Sequence, residues 1–225
     1  RRVRRVLVLS HMFPHHSQPG SGPFVHEQVK ALREHEMLDV RVISCRPFWL
    51  NTLNPLRLLR AWRYYLQEIN TLQWQEWEGV PVLYVPYLVG RLIRFWVHGY
   101  TYSWAVNKVI DQVWKDFKFD LIHAHTAYLD GMAGVSVAKR FGLPLVITEH
   151  TGPFSYLTGK PVVKQKTLQS IRAANQVLTV SQSLCDEVRS YFSDEARKKI
   201  QYLPNGVDVD KFSLPQNWRP DVKAP

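Results

Sequence analysis

The sequence is poor in cysteine. Its two residues, Cys45 and Cys185, lie far apart. That excludes a disulfide scaffold and fits a reducing compartment. No Cys/His pair has zinc-site spacing, and no metal is expected. Long uncharged runs are absent too. The longest candidate, Val80 to Val97, is interrupted by Arg91 and Arg94, and so falls short of the ~18 apolar residues of a membrane span. The basic start, Arg1 to Arg5, is followed by an apolar run of only Val6 to Leu9, whereas a secretory core needs ~7–15. The expectation is a cytoplasmic protein without a leader. Acidic residues are few: 19 Asp and Glu stand against 29 Lys and Arg, a formal charge of +10. Such an excess points to an anionic partner, whether nucleotide, phosphate or membrane surface. No nucleic-acid recognition module is readable, so nucleic acid is not expected as that partner.

What is present is the composition of a globular chain, 45% hydrophobic and 21% charged over 225 residues, enough for one large domain or two small ones. Short β-branched runs recur at Val6–Leu9, Val40–Ile43, Val82–Val85, Leu121–His123, Leu145–Thr148, Val177–Val180 and Ile200–Leu203. They are nearly continuous in apolar residues, as strands covered on both faces are. Helical patterns lie between most of them, at Phe24–Glu34, Gly131–Arg140, Val162–Ala174 and Ser181–Tyr191. Pro23 suits the first turn of the first, and Gly142 the stop of the second. Ser181 or Ser183 is the expected N-cap of the last. Strands alternating with helices predict an α/β fold with a Rossmann-like, doubly wound parallel sheet. Ligands then belong at the carboxyl ends of the strands. The expected domain covers residues 1–212, with an aromatic and basic insertion at 46–104 and a linker or tail at 213–225.

Four segments carry candidate chemistry. After the first strand, Gly20 and Gly22 precede a helix, the layout of a loop that cradles phosphate at a helix N-terminus. The spacing is not GxGxxG, and no acidic residue ends the second strand, so a dinucleotide site is disfavoured. In "FDLIHAHTAYLDGMAG", His123 and His125 lie one strand period apart. His125 falls past the apolar part of the strand, where a side chain titrating near pH ~6.5 is useful, and His123 reads as structural. Asp130 either caps the next helix or binds substrate. The strand "PLVITEHTG" ends in Glu149 and His150, which read as pocket-liners. In "PNGVD", Asn205 and Gly206 suit a tight turn with positive φ.

In this order, "VLVLSHMFP…SGPFVHEQVKAL", "FDLIHAHTAYLDGMAG", "GLPLVITEHTG", "ANQVLTVSQSL" and "YLPNGVDVDKF" resemble the N-terminal half of family 4 (group 1) glycosyltransferases of the GT-B fold. The resemblance implies a retaining, metal-independent transferase that uses a nucleotide-diphosphate sugar as co-substrate and needs no cofactor. It implies a carbohydrate or lipid-linked acceptor, in polysaccharide or glycolipid synthesis, bound on this half. His125 matches the family's catalytic histidine. Gly20, Gly22, Asp130, Glu149, His150 and Asn205 are the implied donor-phosphate and substrate contacts. The donor-binding C-terminal domain is expected to be absent from this chain, leaving it inactive by itself. Two other readings stay open: another GT-B nucleotide-sugar enzyme such as an epimerase, and a non-catalytic Rossmann-like interaction domain.

The stretch 46–104 holds six of the eight tryptophans. Within it "PLRLLRAWRYYL" reads as an amphipathic helix. Leu56, Leu58, Leu59, Trp62 and Leu66 share one half, and Arg57, Arg60 and Arg63 cluster on the other. Basic and apolar faces of this kind fit a helix lying in a membrane interface. Arg57, Arg60, Trp62 and Arg63 are therefore the candidate acceptor or membrane surface, on the inner face of a membrane; the alternative is a helix packed on the sheet with its arginines in water.

Overall fold

A computed structural model describes residues 2–91, 93–193, 195–207 and 209. The elements run β1 (Arg4–Leu9), α1 (Pro23–Glu34), β2 (Leu38–Leu50), α2 (Pro55–Asn70), β3 (Gln75–Trp77), β4 (Val80–Gly90), α3 (Phe95–Asp116), β5 (Leu121–Ala124), α4 (Leu129–Phe141), β6 (Leu145–Glu149), α5 (Ser155–Thr158), α6 (Pro161–Ala173), β7 (Gln176–Thr179), α7 (Gln182–Arg189), α8 (Glu195–Lys198) and β8 (Ile200–Tyr202). The described residues form one eight-stranded sheet in the order β3-β4-β2-β1-β5-β6-β7-β8. All pairings are parallel except β3 with β4. All seven apolar runs are strands of this sheet. The strand order reverses between β1 and β5, where a doubly wound sheet opens its ligand crevice.

The continuous apolar runs reflect burial on both faces. In β1, Val6 and Val8 join one core with Val25 and Val29 of α1. Leu7 and Leu9 join a larger core with Tyr102, Val106 and Ile110 of α3 and Ala133 and Val137 of α4. Successive strand residues face opposite sides, so each run must be apolar throughout.

Three features depart from expectation. The eighth strand, β3, is only "QEW", too short to show a period. It is joined to β4 by Glu78 and Gly79, with φ of 44° and 81°, the positive pair a two-residue hairpin turn demands. The long helix α3 was hidden among aromatics and β-branched residues that favour strands. Its buried Tyr102, Ala105, Val106, Val109, Ile110 and Val113 nevertheless keep helical spacing. Residues 46–104 are not an insertion interrupting the sheet. They run through the end of β2, α2, β3 and β4 into α3. The tail at 213–225 lies outside the described residues.

The helix ends follow the sequence. Gly142 closes α4 at φ 64°. Ser181, not Ser183, caps α7, its side chain accepting from Leu184 N at 3.1 Å. Asn205 and Gly206 do not take positive φ. They lie against α1, lining a groove with Phe24 and Glu27.

Candidate active site

The loop after β1 is fixed from three sides. Ser10 closes a turn with Met12: Met12 N donates to Ser10 Oγ at 3.1 Å, and Ser10 Oγ donates to Met12 O at 2.9 Å. Arg46 of β2 donates to Phe13 O at 2.5 Å and Pro14 O at 3.3 Å. Tyr84 of β4 donates to Pro14 O at 2.7 Å and stacks under the same guanidinium. The loop ends at Gly22, the N-cap of α1, with φ 58° and no side chain capping the first N–H groups. A Cβ at Gly22 would lie 2.3 Å from Met12 O, so glycine is required there. Gly20 has open space around its Cβ position and carries no such demand.

The ends of β5 and β6 bring three histidines together. His125 is fully buried. Its Nδ1 lies 3.1 Å from His150 Nε2, and the two rings are 12° from parallel. His125 Nε2 is buried and has no hydrogen-bond partner among the described residues. His123 packs against His125 with ring centroids 4.4 Å apart, its Nε2 2.8 Å from Thr148 Oγ1. Burial, then the neighbouring imidazoles, pushes the pKa of His125 well below the usual histidine value. Burial first and a neighbouring ring second bring His123 to about 4, and burial brings His150 to about 4. All three are neutral at pH 7. His150 also packs on Phe24 of α1, ring centroids 4.7 Å apart, which ties this cluster to the glycine loop.

Glu149 turns inward. Its buried carboxylate accepts from Ala127 N at 2.8 Å, His150 N at 3.0 Å and Thr151 N at 2.7 Å. It fastens the loop after β5 to the loop after β6. Burial raises its pKa, and the three N–H donors oppose that rise. Asp130 is in the first turn of α4 but does not cap it. It is buried and accepts from His11 N, His11 Nδ1, Tyr102 OH and Thr126 Oγ1. Asn205 stands apart, beyond α1. Sequence reasoning missed His11, Tyr102 and Arg46. Each acts through a contact with a residue remote in the chain, which no local spacing reports.

Beside His11 is a cavity of about 290 Å³, walled by Tyr87, Phe95, Tyr128 and Tyr156, with Thr126 and Thr151 among its polar groups. Lys160 Nζ lies over the Phe95 ring at 4.5 Å and the Tyr156 ring at 5.3 Å. Aromatic faces with a few polar groups suit a ring-shaped ligand.

The amphipathic helix forms as α2, capped by Asn54, which accepts from Leu56 N and Arg57 N. Its last turns are anchored by buried Tyr65 and Ile69. Its first turns are not covered: Leu56, Leu58, Leu59 and Trp62 are 70%, 37%, 48% and 37% exposed. The Trp62 ring lies 6.5 Å from that of Trp104 of α3, and Trp96 and Tyr100 are exposed on the same helix. No carboxylate occurs between Asp39 and Glu68 or between Glu78 and Asp111. This surface is therefore apolar and cationic. Among the described residues no helix is long and apolar enough to cross a membrane.

The sequence profile of Glycosyltransferase Family 4 matches residues 19–211. A curated relative from Bacillus subtilis (strain 168), named as a teichuronic acid biosynthesis glycosyltransferase, TuaC, is 27% identical over 97% of this chain and 54% of its own length. The chain thus spans about half of that relative. Among solved structures, sucrose-phosphate synthase from Thermosynechococcus elongatus superposes with a TM-score of 0.55 at 14% identity, over 94% of this chain and 53% of that one. The UDP-GlcNAc 2-epimerase of Neisseria meningitidis gives 0.51 at 11% identity, over 89% and 47%. These likenesses show the fold: the sheet is of the Rossmann-like kind found in GT-B proteins.

Proposed function

Since the chain belongs to glycosyltransferase family 4, we propose that it is the acceptor-side half of an enzyme that moves a sugar from a nucleotide-diphosphate sugar to an acceptor hydroxyl. The observation that carries this reading is convergence. His11, His125 and His150 come from the ends of β1, β5 and β6, and they meet at the reversal of strand order, beside the uncapped start of α1. Free N–H groups at a helix N-terminus stabilise the negative charge that grows on a leaving diphosphate. His125 offers Nε2, which is unpartnered among the described residues, to a hydroxyl of the transferred sugar. The cavity walled by Tyr87, Phe95, Tyr128 and Tyr156 takes the acceptor.

The finer points of the reading are retention at the anomeric carbon, chemistry without a metal, and an acceptor in polysaccharide or glycolipid synthesis. The donor pocket lies in the half of the enzyme that this chain does not span, so the chain alone does not transfer sugar. The open face of α2, with Arg57, Arg60 and Arg63, rests on an anionic membrane surface on the cytoplasmic side. The epimerase reading has only a shared fold in its favour. The test is to incubate the full-length protein with a panel of nucleotide-diphosphate sugars and candidate acceptors. Mass spectrometry should find one acceptor heavier by a single sugar. Release of free N-acetylmannosamine or its nucleotide, with no acceptor modified, would favour the epimerase instead.

A further inference from the structure

His11 follows β1 by two positions, and its ring is locked on one side. Its Nδ1 lies 3.0 Å from Asp130 Oδ2, while its backbone N donates to Asp130 Oδ1 at 3.0 Å. Tyr102 OH donates to Oδ1 at 2.5 Å and Thr126 Oγ1 to Oδ2 at 3.1 Å. Apart from Nδ1, the carboxyl group thus accepts from three donors, two on Oδ1 and one on Oδ2. A carboxylate held in this way faces Nδ1 as an acceptor. The proton between His11 and Asp130 therefore sits on Nδ1, which leaves the lone pair on Nε2. Among the described residues nothing hydrogen-bonds Nε2, and the His11 side chain is 28% exposed, lining the aromatic cavity. With Nδ1 turned to Asp130, the Nε2 edge is what remains for the cavity.

We propose that His11 is the base that takes the proton of the acceptor hydroxyl, and that Asp130 and Tyr102 position it. The proposal rests on the reading of this site as one of sugar transfer. The acceptor is a saccharide whose apolar ring face packs on the cavity's aromatic walls, which leaves a hydroxyl free to donate to Nε2. As the acceptor oxygen bonds to the anomeric carbon, its O–H bond breaks and the proton passes to Nε2. The bond from the anomeric carbon to the diphosphate oxygen breaks, and the diphosphate leaves with the electron pair. The imidazolium is held by the Asp130 carboxylate and returns its proton to water. The Asp130–His11 pair has the logic of any carboxylate-oriented histidine base: the acid fixes the tautomer and stabilises the charge that develops.

The surroundings agree. Burial disfavours the charged ring, but Asp130, by charge and hydrogen bond, and Glu149 at longer range outweigh both burial and Arg46, so His11 is more basic than usual. Its neighbours His125 and His150 are held neutral, and Tyr102 keeps its proton. Of His11, His125 and His150, His11 is the one that lines the cavity; His98 lines it as well, but its Nε2 lies 3.0 Å from Ile93 O.

Two measurements test this. In the 225-residue chain, NMR titration should show His11 titrating above free histidine, and Asp130→Asn should lower its midpoint. In the full-length protein, His11→Gln should lower kcat by ~10²–10⁴-fold, the usual worth of a positioned base, with KM changed only a few-fold. It should also remove the acidic limb of the rate–pH profile. An acceptor with an acidic, phenolic hydroxyl should regain most of the lost rate, because it needs no base. A wild-type enzyme that is active while His11→Gln is equally active overturns the proposal alone. A His11→Gln loss that phenolic acceptors do not relieve assigns His11 a structural role and overturns it too. A wild-type protein that transfers no sugar overturns the reading beneath it.

Discussion

His125 and His150 face each other with Nδ1 and Nε2 3.1 Å apart and rings nearly parallel, so one nitrogen donates to the lone pair of the other, which needs at least one ring neutral. Protonating both would set two N–H donors and two positive charges against each other in a buried space.

This arrangement predicts acid sensitivity. The folded pKa values of His123 and His150 are lowered to about 4, below the ~6.5 of an unfolded chain. Above pH ~6.5 both states are neutral and nothing is lost. As pH falls from ~6.5 towards 4 the unfolded state takes up protons that the folded state refuses, so stability declines. Each such histidine contributes up to ~3 kcal/mol to that decline. Melting curves between pH 7.5 and 4.5 should show it. His123→Gln should flatten the slope, and an unchanged slope would contradict the assignment.

Gly22 and Gly20 should separate on substitution. Gly22→Ala meets both a left-handed backbone, costing ~1–2 kcal/mol, and Met12 O at 2.3 Å. It should destabilise the chain by more than 2 kcal/mol, of order the strained-site losses known generally. Gly20→Ala should stay within ~0.5 kcal/mol. Urea unfolding of the two variants decides, and equal midpoints would be inconsistent with the loop described.

Glu149 should behave as a clamp. Glu149→Gln keeps one acceptor oxygen for three N–H donors, so it should cost ~1–3 kcal/mol, the worth of an unmet buried group. The Ala127 amide should exchange with deuterium faster in the variant. Unchanged exchange at Ala127 would contradict the role.

The strand runs, the helix stop at Gly142 and the cap at Ser181 were legible because each is a local rule: two-sided burial, a left-handed stop, a hydroxyl over a free N–H. The positions of His125 and Gly22 in the loops past strand ends were legible from the apolar runs that precede them. Asp130 was legible as a residue but not as a role, because its four donors come from His11, Tyr102 and Thr126, set by the β1–β5 pairing and the packing of α3. Arg46 was absorbed into a basic stretch, whereas its guanidinium holds the carbonyls of Phe13 and Pro14. Strand β3 had too few residues for a period, and α3 carried strand-forming side chains on a helical stripe.

The face of α2 should bind membranes by charge. In flotation with vesicles at low salt, the chain should rise with phosphatidylglycerol-containing vesicles and stay down with neutral phosphatidylcholine. Each basic residue near such a surface contributes ~1 kcal/mol, screened by salt. Reversing Arg57, Arg60 and Arg63 to Glu should abolish recovery, and Trp62→Ala should reduce it. Equal recovery with both kinds of vesicle would contradict an electrostatic surface.

The most direct test of the central claim, that the seam between β1 and β5 is a site of sugar transfer, is the turnover of the full-length protein with and without His125. With its nucleotide-sugar donor and acceptor, the account predicts that His125→Ala lowers kcat ~10²–10³-fold, as loss of a positioned hydrogen-bonding group does, in protein that is still folded at the assay temperature, so that turnover falls far more than folding stability. Wild-type turnover in His125→Ala would contradict it.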